Sequence, residues 1–181
     1  MKILKIVWIL FFPLLIVSCD EDPVVGCMDD LAINYNAEAE EEGSCEFDLT
    51  VMLTLHTWYV ESVTTNLDGV ELDLLVALPD LLPPCTHDNL FTFSEEGTVN
   101  MDDHIVLCEE GEESLIDLSG SWFVDGNILT IVQEGQEDDP YVLEVQNQTS
   151  NSMDLIFPFN FEVNGATEVI PAKIELVALQ N

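Results

Sequence analysis

Two dipeptides constrain this chain more than any other feature, Asp125-Gly126 and Asn164-Gly165. The first separates SWFV from NILTIVQ, the second separates MDLIFPFNFEV from TEVIPAKIELVAL. Asp-Gly and Asn-Gly between β-rich runs are hairpin signals, because a type I′ turn needs positive φ at both central residues and twists with its strands. The β-rich runs as a whole are spaced alike. They cover 58–65, followed by Leu67-Asp68-Gly69, then 90–94, the Glu95-Glu96-Gly97 turn and 98–107, then 121–124, 127–133, 141–146, 153–163 and 167–179, eight strands in all. Hairpin-joined strands with no long helix predict an all-β antiparallel domain, an up-and-down barrel or a sandwich.

Strand periodicity then assigns faces. In the last run Ile170, Ala172, Ile174, Leu176 and Ala178 alternate with Lys173 and Glu175, so the apolar set faces a core. The same alternation turns Trp58, Val60, Phe91, Phe93, Trp122, Val124, Leu143, Val145, Leu155 and Phe157 inward. Leu53 and Leu55 do not alternate in phase with Trp58 and Val60, which predicts a short turn closing one end ahead of the first strand. The leucine-rich stretch 70–82, ending in Pro83-Pro84, reads as a short helix or an apolar flap.

The N-terminal part has different grammar. Lys2 and Lys5 precede an apolar run from Val7 to Val17, the layout of a secretory leader and too short for a spanning helix. Ile16-Val17-Ser18-Cys19 resembles the lipobox of bacterial lipoproteins, which implies cleavage before Cys19 and lipidation of that cysteine. The expected organisation is a signal peptide at 1–18, a lipidated acidic tether at 19–48 and a β domain at 49–181. Anchoring to the outer membrane or cell surface is expected, the periplasmic face of a membrane being the alternative. Asp20-Glu21-Asp22 resembles a surface-export signal.

Charge narrows the partners. Asp and Glu number 36 against 3 Lys and no Arg, a formal net charge of −33. Such a chain is repelled by nucleic acid and anionic headgroups, and the expectation is a monomer held to a membrane only through its lipid. Four cysteines remain beyond Cys19, an even number for an oxidising compartment. Three pairings are possible, and locality favours Cys27–Cys45 and Cys85–Cys108 over zinc ligation, since no C-x-x-C occurs.

The order of landmarks carries a second resemblance. LHTWYVESV at 55–63, CTHDNLFTFSEEGTV at 85–99, Cys108 and GSWFVDGNILTI at 120–131 resemble the lipocalin-like domain of bacterial surface lipoproteins. Leu55, Trp58, Cys85, Phe93, Gly97, Thr98, Cys108, Gly120, Trp122, Gly126 and Leu129 carry the match, while His56 stands where many members have glycine. The resemblance implies an eight-stranded barrel with a Cys85–Cys108 staple. Gly26 to Cys45 separately resembles a short motif of bacterial surface proteins, G-C-x-D-x-x-A-x-N-Y-x-x-x-A closed by G-S-C, which implies a small disulfide-closed module.

An eight-stranded barrel is just wide enough to be filled by side chains or to hold one small ligand. The functional expectation is therefore a pocket for a small hydrophobic molecule, with Trp58, Val60, Phe91, Phe93, Trp122, Val124, Leu143 and Phe157 as candidates. The alternative is a surface structural or interaction module with a filled core and no ligand. Catalysis is not expected: no Gly-x-Ser-x-Gly or H-E-x-x-H occurs, and His56, His87 and His104 lack an evident nucleophile. His87 and His104, with Asp88, Asp102 or Asp103, could share a rim and take a metal, or stand as polar loop residues. No cofactor is expected. The stretch 26–45 fails EF-hand spacing, which leaves irregular calcium binding through Asp29, Asn34, Asn36 and Glu38 as the alternative to a stapled spacer.

Overall fold

The computed structural model describes residues 22–79, 82–102, 106, 118–163 and 166–179. Cys19, Asp103, His104, Cys108 and the Asn164-Gly165 turn lie outside them.

The first element group is small. β1 (Val25–Gly26) pairs in parallel with β2 (Glu41–Glu42), and Cys27 is bonded to Cys45. Gly26 and Gly43 allow a close approach here: a Cβ on Gly43 would stand 3.0 Å from the Gly26 Cα.

At residue 49 the chain turns helical. α1 (Leu49–Leu55) begins on Asp48, whose carboxylate accepts the Val51 N–H at 3.1 Å, one of the donors a helix start leaves without an intrahelical partner. Leu49, Met52 and Leu53 share the buried face at i, i+3 and i+4, while Val51 and Leu55 face outward. The short turn expected ahead of the first strand is thus a two-turn helix. It packs beneath the barrel, and the indole N–H of Trp58 donates to the Leu53 carbonyl at 3.0 Å.

The barrel itself comprises β3 (Thr57–Leu67), β5 (Leu90–Phe93), β6 (Thr98–Asp102), β7 (Gly120–Asp125), β8 (Ile128–Val132), β9 (Tyr141–Gln146), β10 (Ser152–Val163) and β11 (Ala166–Ala178). Each pairs antiparallel with the next, and β11 pairs back to β3, closing an eight-stranded up-and-down barrel. β4 (Val70–Asp73) is an extra strand alongside the far half of β3, and α2 (Leu74–Ala77) follows it. The leucine-rich stretch therefore supplies a strand and one helical turn. The hairpin into β4 turns on Asp68 (φ 53) and Gly69 (φ 85), positive at both central residues as a type I′ turn requires. The β7–β8 hairpin differs from expectation. Asp125 pairs with Ile128, so Gly126 and Asn127 are the central residues, and positive φ occurs only at Gly126, the type II′ pattern.

Side chains fill the barrel. Trp58, Phe91, Phe93, Leu129, Ile131, Leu143, Leu155 and Leu176 are fully buried, each contributing about 1.5–3 kcal/mol through removal from water. A bulge keeps β3 in phase: Glu175 faces Ser62 and Leu176 faces Val60, so Glu61 is extra. Without it Val63 and Thr65 would point outward; with it both are buried beside Trp58 and Val60. Alternating strand direction places residues 68–79, 82–89 and 133–140, with the end of β10 and the start of β11, at the end opposite α1.

Candidate functional site

Two prolines define the open end. Pro158 on β10 faces Pro171 on β11, within a ladder that continues on both sides. Neither has an N–H to give the other, so the pair is of the non-hydrogen-bonded kind and both imide nitrogens point away from it. One faces β9, where pairing stops at Ile156–Glu144; the other faces β3, where pairing stops at Thr65–Ala172. The Thr65 hydroxyl donates to the Pro171 carbonyl at 2.7 Å, satisfying the acceptor that the ended ladder would leave. Beyond these prolines the described residues of β10 and β11 pair only with each other.

Where β10 departs from β9 a cavity of about 620 Å³ opens. Its wall is Val63 from β3, Leu74 from α2, Leu82, Tyr141 to Leu143 from β9, and Phe157 to Phe159 from β10, with Asp139 and Asn160 as polar lining residues. α2 is set in place by Asp73, whose carboxylate accepts the Leu75 N–H at 2.9 Å, and its Leu74 is buried. The rings of Phe157 and Phe159 stand edge to face, centroids 6.4 Å apart. The volume falls in the range of small-molecule sites, and the lining has their usual character, apolar walls with few polar groups.

Among the described residues no Lys, Arg or His lines this cavity. Lys173 is the one Lys or Arg of the chain beyond Lys5. It sits on β11, its ammonium 3.8 Å from an Asp154 oxygen, and Asp154 also accepts the Asn147 amide at 2.7 Å.

Of the residues expected at a pocket, the structure brings Leu143 and Phe157 to this cavity. Trp58, Val60, Phe91, Phe93 and Trp122 are buried in the barrel core, and Val124 is half-buried against it. Trp122 and Phe93 meet edge to face, 5.5 Å between centroids, and the Trp122 indole N–H donates to the Thr98 carbonyl. Leu74 and Leu82 come from the stretch read as a short helix or an apolar flap, while Tyr141 and Phe159 complete the site and were not expected there. Their signal was available in Pro158 and Pro171, which mark where two long strands stop pairing with their outer neighbours.

Three of the calcium candidates, Asp29, Asn34 and Asn36, serve the fold of the N-terminal module through their side chains. Asp29 accepts the Leu31 N–H and Asn36 accepts the Glu38 N–H, each at 3.0 Å. Asn34 clamps two strands of chain: its amide donates to the Ser44 carbonyl and its oxygen accepts the Glu46 N–H, both at 2.9 Å. Among the described residues no three His, Cys, Asp or Glu side chains are placed to share a metal ion. His56 stacks edge to face on Trp58, the His87 ring contacts the Leu82 carbonyl at 3.2 Å, and Asp88 accepts the Val106 N–H. Cys85 is disulfide-bonded. Asp102 is exposed at the end of β6.

Compared with known protein families and with characterised proteins, the sequence matches no family and no characterised sequence. No helix among the described residues is long and apolar enough to cross a membrane.

Proposed function

We propose that this protein is an extracytoplasmic lipoprotein, tethered through a lipid on Cys19, whose lipocalin-like barrel binds a small hydrophobic ligand. The observation that carries the ligand reading is the apolar cavity between β9 and the departing end of β10. A filled barrel core moves the site from the barrel axis to its mouth, where the ligand enters beside Phe157 and Phe159 without displacing core side chains. The module closed by Cys27–Cys45 then serves as a stapled spacer between membrane and barrel. The lipobox-like Ile16-Val17-Ser18-Cys19 and the leader before it support the tether.

Two measurements test the reading. Full-length protein expressed in a Gram-negative host should partition with membranes and carry acyl mass, and Cys19→Ala should lose both. Native mass spectrometry after gentle extraction, with uptake of a neutral apolar dye, tests the cavity. Absence of both adduct and dye uptake would favour the other reading, a surface interaction module with no ligand.

A further inference from the structure

Charge around the cavity selects the chemical class of its occupant, an inference that rests on the ligand reading above. We propose that the site takes apolar molecules whose polar end is neutral or cationic, and rejects fatty acids and other amphiphiles ending in carboxylate or phosphate.

An anionic headgroup leaving water needs an opposite charge or several donors in return. Among the described residues the cavity lining contains no Lys, Arg or His. Lys173 belongs to β11 outside the lining and lies against Asp154, and the chain has no arginine to recruit from elsewhere. Among the described residues the charged one that lines the cavity is Asp139, and the other polar groups there are the amide of Asn160 and the phenol of Tyr141. A carboxylate ligand would therefore meet a carboxylate. The formal charge of −33 opposes its approach from any direction and draws cations inward. An ammonium or hydroxyl end can meet Asp139 or Asn160 while the apolar body lies against Leu74, Phe157 and Phe159.

The test compares three probes with one twelve-carbon chain, dodecan-1-ol, dodecylammonium and dodecanoate, below their micellar concentrations, titrated into the full chain by calorimetry. The expected order is ammonium tighter than alcohol, with dodecanoate showing no saturable binding. Overall charge alone would favour the ammonium at many places, so two variants separate the local contribution. Asp139→Asn should reduce the ammonium-over-alcohol preference about fivefold, the size of one partly screened ion pair, and leave alcohol affinity unchanged. Asp138→Asn, an adjacent carboxylate that does not line the cavity, should leave the preference intact. Dodecanoate binding as tightly as the alcohol would overturn the inference while keeping the cavity. An ammonium preference undiminished in Asp139→Asn would overturn it too. Failure of all three probes would remove the ligand reading itself, and the inference with it.

Discussion

Replacing Leu53 with alanine tests whether residues 49–55 form the helix that closes the barrel. Leu53 is fully buried, whereas Leu55, two residues on, is half exposed. In a strand those two leucines would share one face and one degree of burial. In the helix they lie 200° apart by the helical repeat, roughly, and only Leu53 reaches the core. Truncating a fully buried leucine costs about 3 kcal/mol or more, combining lost transfer energy with the cavity left behind. For a domain of this size each kcal/mol lowers Tm by about 4 °C, so Leu53→Ala should lose about 12 °C. Leu55→Ala should change stability by less than about 0.5 kcal/mol. The assay is urea unfolding followed by tryptophan fluorescence, reading the midpoint at unchanged slope. Comparable losses in the two variants would refute the helix.

Three further outcomes follow from local geometry. Asn34→Ala removes both hydrogen bonds across the N-terminal module and should cost it about 1–2 kcal/mol, seen as faster proteolysis between Cys27 and Cys45 with the barrel midpoint unchanged. Pro158→Val restores an N–H toward β9, so hydrogen exchange at residue 158 should report new protection while uptake of a neutral apolar probe falls. Tyr59 should ionise above the ordinary tyrosine value of 10.0, because its phenol bonds Glu61, is partly desolvated and lies near the charges of Glu61 and Glu175. With the folded value raised, that contribution to stability is complete below pH 10 and lost as pH climbs through the folded value. Absorbance titration at the phenolate band should show a late component that Tyr59→Phe abolishes.

Much of the barrel was readable because its signals are local. The 141–146 strand has the expected bounds, and the last strand buries Ala172, Ile174, Leu176 and Ala178 as its alternation required. Three features were not read from pattern. The α1 helix is only seven residues long, and its apolar positions are compatible with a strand's end as well as a helix face; the deciding mark was Asp48 as N-cap. Strand β4 hides in a leucine-rich stretch, although Asp68-Gly69 ahead of it carries a type I′ signal. The third is the cavity, which depends on where β10 stops pairing with β9, a register property of residues as far apart in sequence as Ile156 and Glu144. Alternation correctly turned Leu143 and Phe157 inward, yet it treats every inward ring alike. It could not separate Trp58 and Phe91, which fill the barrel, from Phe157, which lies where the wall opens.

The most direct test places a bound probe in space. Aromatic and methyl NMR of the protein, titrated with dodecan-1-ol, should show saturable shifts concentrated at Tyr141, Leu143, Phe157 and Phe159, with Trp58 and Phe91 unmoved. Saturable shifts centred on Trp58 and Phe91 would place the ligand inside the barrel, and no shifts at all would mean that the open end holds none; either result would contradict a ligand site at the β9–β10 split.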